Sequence, residues 1–277
     1  MTEETPRFVT YELDGPVAMI GLDRPSKRNA INDETARQIG QAVARANAEA
    51  KVGLIFGHGE NFSAGLDLAE AAQRFGSRTP THPGRREGWH RIFDLIARGP
   101  IPYVAALKGA VIGGGLELAA AVHIRVADAT TFFALPEGQR GIFVGGGGSV
   151  RVQRLMGYAR MADLMLTGRV LTPEEGERAN LCQYVVPKGE SLNRAKSLAH
   201  RIAENAPNTN WAVAAILPRI NDMSHDDGLF VESLIGSNVR SQESMERLAA
   251  FVEHRAPRLV EPGQSGDRRP GKTDQPA

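Results

Sequence analysis

The chain has 277 residues, 42% of them apolar and 23% charged. That length and balance suit one large domain with a substantial core, and they exclude collagen-like, disulfide-dense and wholly disordered chains. With 33 basic against 32 acidic residues, the net charge is +1. No global field exists to hold a nucleic-acid backbone or an anionic membrane.

One cysteine, Cys182, excludes an internal disulfide and fits a reducing, cytoplasmic setting. The N-terminus, Met1 to Pro6, is acidic and lacks the apolar stretch of a secretory signal. Lys108 and Glu117 interrupt the most apolar stretch, so no run reaches the ~20 residues of a membrane span.

In chain order, Phe8 to Leu13 and Pro16 to Leu22 flank the turn signal Asp14-Gly15 and predict a β-hairpin. Pro25 to Asn29 reads as a charged loop. Asn32 caps a predicted helix whose apolar face is Ile39, Val43, Ala46 and Ala50. Val52 to Gly57 reads as a buried strand, and Phe75 to Gly88, with its Gly and Pro, as a mobile loop. Trp89, Ile92, Phe93 and Ile96 share one face of a helix that stops before Gly99-Pro100.

Strands follow at Tyr103 to Leu107 and Ala110 to Ile112, then a helix over Leu116 to Ala121, then a strand from His123 to Ala127. A further helix starts near Ser149. The remainder reads as mainly helical, with a strand near Tyr184 to Val186. The recurring order is strand, strand, helix. Residues 261–277 are Pro- and Gly-rich with almost nothing apolar, and read as a disordered tail.

Several chemistries drop out. There is no G-x-G-x-x-G and no P-loop lysine. Asn61 to Gly65 lacks the first glycine of a nucleophile elbow. The histidines lack metal-ligand spacing, so no metal site is expected. What stands out is a pair of glycine-rich turns, Phe62-Ser63-Ala64-Gly65-Leu66-Asp67-Leu68 and Gly113-Gly114-Gly115-Leu116-Glu117. Glycines before a helix bring backbone close to a ligand and leave free N–H donors, so one N–H from each turn suits an oxyanion. Glu137 follows Glu117 by 20 residues, in Leu135-Pro136-Glu137. Two carboxyl groups at one pocket can divide acid and base roles.

These segments resemble the enoyl-CoA hydratase/isomerase, or crotonase, family. The resemblance runs from about Phe8 to Pro257. It is carried by Arg24-Pro25, Asn29-Ala30-Ile31, Ala64-Gly65-Leu66-Asp67-Leu68, Gly113 to Ala119, Pro136-Glu137, Leu166-Thr167-Gly168-Arg169 and Val185-Val186-Pro187 in that order. It implies an α/β spiral of ββα units over residues 1–200 and a helical trimerisation region over 201–260. The assembly would be a homotrimer or a dimer of trimers.

The resemblance also implies an acyl-CoA substrate, no cofactor beyond its CoA moiety, and hydration of a trans-2-enoyl-CoA. Glu117 would help activate water, and Glu137 would deliver a proton to the α-carbon. The oxyanion hole would be the N–H groups of Leu66 and Gly114. Lys27 and Arg28 would meet the CoA phosphates, with Ala30, Ala64, Asp67 and Leu68 along the CoA path. Phe251 and Arg255 would cover CoA from a neighbouring chain. Gly145 would lie near the reacting carbon, and Phe75, Trp89, Phe93 and Phe143 would line an acyl pocket.

Two departures stand out. Val144 replaces a common Pro, and with Gly145 to Gly148 it implies a permissive loop and a wider pocket. Asn180 replaces a common Gly, and Asn tolerates the left-handed conformation. A hydrolytic dehalogenase relative needs an Asp nucleophile at Gly145, so that branch is excluded and His90, which aligns with its catalytic His, reads as packing or rim. The competing readings are Δ3,Δ2-enoyl-CoA isomerisation, hydration with carbon–carbon cleavage, and a non-catalytic CoA-binding protein on the same fold.

Overall fold

The structure is a computed structural model and describes residues 6–76, 88–239, 241–253 and 255. The hairpin forms as β1 (Val9–Asp14) and β2 (Val17–Leu22), followed by α1 (Asp33–Glu49) and β3 (Val52–Gly57). Next come α2 (Leu68–Gly76), α3 (Trp89–Ala97), β4 (Tyr103–Leu107), β5 (Ala110–Ile112) and α4 (Gly114–Ala119). They lead into β6 (Ile124–Asp128), β7 (Phe132–Ala134), α5 (Glu137–Arg140), α6 (Gly148–Met156) and α7 (Tyr158–Thr167). The chain closes with β8 (Val170–Leu171), α8 (Pro173–Arg178), β9 (Tyr184–Val186), α9 (Ser191–Ala203), a helical run from Pro207 to Ile220, and two last helices. These helices are His225–Asn238 and Gln242–Val252.

The main sheet has the order β1-β2-β3-β4-β6-β9. Only β1 is antiparallel to its neighbour. Alternation splits β2 and β3 between two cores. Ala18, Ile20 and Ile55 join Ile39, Val43, Phe93 and Ile96 on the α1 and α3 side. Val17, Met19, Val52 and Leu54 meet Ala195, Leu198 and Ala199 of α9 on the other. Covering both faces explains why these parallel strands read as continuous apolar runs.

The second strands of the later units, β5 and β7, leave that sheet and pair with each other, with β8 at the edge. After β3, isolated bridges at Ser63 and Leu66 take the place of a second strand. The strand–strand–helix order therefore builds one sheet from first strands and a separate ledge from second strands. The two turns at the ends of these short segments face one another.

The structure departs locally from the sequence-based reading. Pro25–Lys27 is a turn of 3-10 helix inside the predicted loop. Helix α2 reaches Gly76, into the start of the segment read as mobile, while 77–87 and the tail 261–277 lie outside the described residues. Asn180 does adopt φ +61°, and its amide donates to the Leu155 carbonyl at 3.1 Å. The last two helices leave Phe230, Leu234, Leu248 and Phe251 exposed. No helix among the described residues is long and apolar enough to cross a membrane.

Asn32 caps α1 as its sequence position predicts. Its Oδ1 accepts the Thr35 N–H at 2.8 Å and the Thr35 hydroxyl at 2.7 Å, and its amide donates to Glu70 of α2 at 2.7 Å. Asn32→Ala is expected to cost about 1–2 kcal/mol, with Asn32→Ser keeping most of the cap. Urea unfolding of the two variants checks this; equal stability of Asn32→Ala and wild type contradicts it.

Candidate active site

The first glycine turn is pressed onto the second. Ser63 N–H donates to the Ala110 carbonyl at 2.9 Å, and Ile112 N–H donates back to the Ser63 carbonyl at 3.1 Å. Gly65 sits at φ +81°, and a Cβ there would lie 2.4 Å from the Ile112 oxygen and 2.9 Å from the Gly114 nitrogen. Only glycine allows that approach.

The neighbouring donors are spent. Gly65 N–H donates to Ser63 Oγ at 3.1 Å, and Asp67 N–H to the Ile31 carbonyl at 2.9 Å. Leu66 N–H and Gly114 N–H make no hydrogen bond among the described residues. Gly114 opens α4, where the helix supplies no acceptor. The site of its absent Cβ is 3.6 Å from the Leu66 nitrogen, so the two free donors are neighbours.

Both glutamates are brought to this place. Glu117 lies one turn into α4 and is 3% exposed. Its Oε1 accepts the N–H groups of Gly146 at 2.8 Å and Gly148 at 2.7 Å. Burial pushes its pKa up, while those backbone donors and the nearby Arg151 charge pull the other way. A Cβ on Gly148 would come within 2.8 Å of Glu117 Cγ, and one on Gly146 within 3.2 Å of its Cδ. The glycine run therefore grips a carboxylate, and only Gly145 faces open space. That corrects the expectation of a generally permissive loop.

Glu137 is the first residue of α5 and is 5% exposed. Its Oε1 lies 3.1 Å from where a Gly113 Cβ would be, against the second turn. Its Oε2 is buried and has no hydrogen-bond partner among the described residues. Burial pushes its pKa up to about 7; its own backbone N–H opposes this and the charge of Glu117 adds to it. Glu117 is thus held by donors, whereas Glu137 has an oxygen with nothing to bond.

The other predicted residues are placed as follows. Trp89 covers the second turn, 2.8 Å from the Gly114 Cβ position, and Phe93 lies as close to that of Gly146; their rings are 6.3 Å apart. Phe143 is 72% exposed, and the Phe75 side chain lies outside the described residues. Lys27 and Arg28 are exposed on the turn before Ala30, which is buried. The Arg28 carbonyl accepts Ala64 N–H at 2.9 Å, tying that turn to the first glycine segment. Leu68 is exposed at the start of α2. Phe251 is exposed, and Arg255 pairs with Glu253.

Two features were not assigned from sequence. Arg24 bonds Asp67 at 3.0 Å and the Ala30 carbonyl at 2.7 Å, a half-buried clamp between residues 43 apart. Asp67 is thereby also a structural partner. Arg151 donates to the Gly146 carbonyl at 2.8 Å and pairs with Asp94 of α3. No group of side chains able to hold a metal ion occurs among the described residues.

The enoyl-CoA hydratase/isomerase family model matches residues 12–262. A carnitinyl-CoA dehydratase of Salmonella typhi is 35% identical over 252 residues, 88% of this chain and 95% of that protein. A provisionally named enoyl-CoA hydratase from Rhodopseudomonas palustris superposes with TM-score 0.81 at 45% identity, covering 89% of this chain and 95% of its own. An enoyl-CoA hydratase from Mycobacterium tuberculosis gives 0.79 at 29% identity, covering 91% and 98%.

Glu137 makes stability depend on pH. Its folded pKa of about 7 exceeds the ordinary 4.5. The folded state therefore holds the proton more tightly, and this contribution is full below 4.5 and lost as pH rises through about 7. Glu137→Gln is expected to melt higher than wild type at pH 8, with the gap closing toward pH 4.5. Calorimetry across that range checks it; a gap independent of pH contradicts it. By its sequence match, its α/β architecture and these superpositions, the chain belongs to the enoyl-CoA hydratase/isomerase family and has the crotonase fold.

Proposed function

We propose that this chain is an enoyl-CoA hydratase that adds water syn across a trans-2-enoyl-CoA to give a 3-hydroxyacyl-CoA. The observation that carries this is the buried, unpartnered Oε2 of Glu137 beside two free N–H donors. A buried polar atom without a partner needs an explanation, and a proton acceptor or donor awaiting substrate supplies one.

Water attacking the β-carbon moves charge onto the thioester oxygen. Leu66 N–H and Gly114 N–H stabilise that enolate, each such donor being worth about 2.7–4 kcal/mol in enzymes where one has been removed. Glu117, kept in place by Gly146 and Gly148, orients the water and accepts its proton. Glu137 gives its proton to the α-carbon. Lys27 and Arg28 meet the CoA phosphates, with Ala30, Ala64, Asp67 and Leu68 along the CoA path and Gly145 near the reacting carbon. Trp89 and Phe93 bound the acyl end, together with Phe143. The chemistry calls for no cofactor beyond the CoA handle. The exposed apolar residues of the last two helices suit burial in a homotrimer or dimer of trimers, where Phe251 and Arg255 would cover CoA of a neighbour.

The Salmonella relative supports a second reading, dehydration of carnitinyl-CoA. A dehydratase runs the same step in reverse with the same two glutamates. Loss of the conjugated enoyl-thioester absorbance of crotonyl-CoA tests the first reading. Wild type is expected to turn over, and Glu117→Gln and Glu137→Gln to lose about 10²–10⁴-fold each. Full activity in Glu137→Gln overturns the mechanism; turnover of carnitinyl-CoA with none of crotonyl-CoA puts the second reading first.

The glutamate pair carries one proton in either direction, on Glu137 for hydration and on Glu117 for dehydration. Because the overall reaction releases no proton, kcat/KM for both directions is expected to fall together above about pH 7, as that shared proton is lost. Profiles that differ in sign between the two directions, or that stay flat above pH 7, contradict the assignment.

A further inference from the structure

A cavity of about 720 Å³ opens between α3, the junction of α4 with β6, α6 and Pro218. Its volume falls in the ~300–1,000 Å³ range of small-molecule sites. None of Glu117, Glu137, Leu66 and Gly114 lines it. Four guanidinium groups do: Arg98, Arg125, Arg151 and Arg154. Among the described residues the one carboxylate on its wall is Asp94, which Arg151 takes. Arg98 and Arg154 share a single carboxylate, Asp222, at 3.9 and 2.9 Å.

Arg125 is the anomaly. It is 2% exposed, yet among the described residues no carboxylate pairs with it. Nε donates to the Leu181 carbonyl at 2.9 Å and Nη1 to the Val122 carbonyl at 2.6 Å, while Nη2 has no acceptor among the described residues. Burial lowers its pKa to about 10, which leaves it charged at neutral pH. The neighbouring Cys182 thiol, pushed up to about 12 by burial, is no counter-ion. Carbonyls satisfy two of the donors without neutralising the charge, and a buried charge without a counter-charge is costly.

We propose that this cavity binds a small oxyanion, a carboxylate or phosphate group, on the free edge of Arg125 with Arg98 and Arg154 at the rim. A planar guanidinium with an open donor edge matches that chemistry. Gln183 adds polarity to the wall; its Oε1 accepts the Arg125 backbone N–H at 2.8 Å, and its amide N–H groups have no acceptor among the described residues. The wall also includes Gly145, Gly147 and Ser149, from the loop that grips Glu117, so the occupant leans on catalytic backbone.

Inorganic phosphate is the probe, titrated by thermal melting at constant ionic strength set with KCl. The expected result is a saturable rise in Tm, at least tenfold weaker in apparent affinity in the double variant Arg98→Gln, Arg154→Gln. Arg125→Gln also removes anchors of Leu181 and Val122, so the rim pair carries the test. Because CoA itself carries phosphates, the double variant Lys27→Ala, Arg28→Ala and a titration with saturating CoA are run in parallel, and both are expected to leave the response intact. The proposal is overturned if phosphate gives no saturable rise, if the rim variant responds like wild type, or if the loop variant or CoA abolishes the response. No arm needs turnover, so the outcome is independent of the hydratase reading.

Discussion

The contact on which this molecule depends is backbone against backbone, where Gly65 lies on Ile112 to Gly114. It is a meeting of two turns about 50 residues apart, closed by the Ser63–Ala110 and Ile112–Ser63 hydrogen bonds. Its consequence is electrostatic. Two peptide N–H groups are left without acceptors in a largely buried place, and they can be satisfied only by something that enters. The rest of the fold serves to hold that pair. First strands build the sheet that α1, α3 and α9 cover, and second strands are short because they end at the turns. The Arg24–Asp67 clamp fixes the first turn from behind.

The two glutamates show how one pocket separates two identical side chains. Both are buried, and burial raises both pKa values. Glu117 has two backbone donors on one oxygen, which compensate its charge and fix its orientation. Glu137 has an oxygen with none, and it also feels the charge of Glu117. The arrangement therefore fixes one carboxyl group with backbone donors and lets the other hold a proton near neutrality. The distinction is made by glycine: any side chain at Gly146 or Gly148 would push into the glutamate those residues support.

Much of this was legible in the sequence where the signal is local. Val52–Gly57, Tyr103–Leu107 and Ala110–Ile112 end at the residues expected of them, because each is an apolar run closed by Gly, Lys or Pro. Asn32 and Asn180 do what their chemistry predicts. The order of the glycine turns and glutamates pointed to the family that the comparisons then showed. What was not legible is long-range or very short. Strands β7 and β8 have three and two residues and exist only by pairing with each other and with β5. Helix α2 has good helix formers in Ala69 to Gln73, but its capping by Asp67 is visible only once Arg24 is seen to hold that side chain. The run Gly145 to Gly148 suggested looseness, since glycine alone does not say what approaches it.

Arg125 extends the same reasoning to a place where local pattern is silent. It sits in a strand that otherwise reads as apolar, Ile124 to Ala127, where a charge is out of character. Its stem packs where a core residue would, while its head reaches the carbonyls of Val122 and Leu181 and so ties β6 to the segment leading into β9. Had tethering been the whole role, a neutral donor would do it without a buried charge. His123, two residues earlier, shows that alternative. Its Nδ1 accepts Tyr103 N–H at 3.0 Å and its Nε2 bonds the Ala214 carbonyl at 3.3 Å. Burial lowers its pKa to about 4, so it tethers while neutral. Both side chains line the cavity, His123 as a neutral tether and Arg125 as a cation with no carboxylate partner among the described residues, and that contrast is what points to an anion.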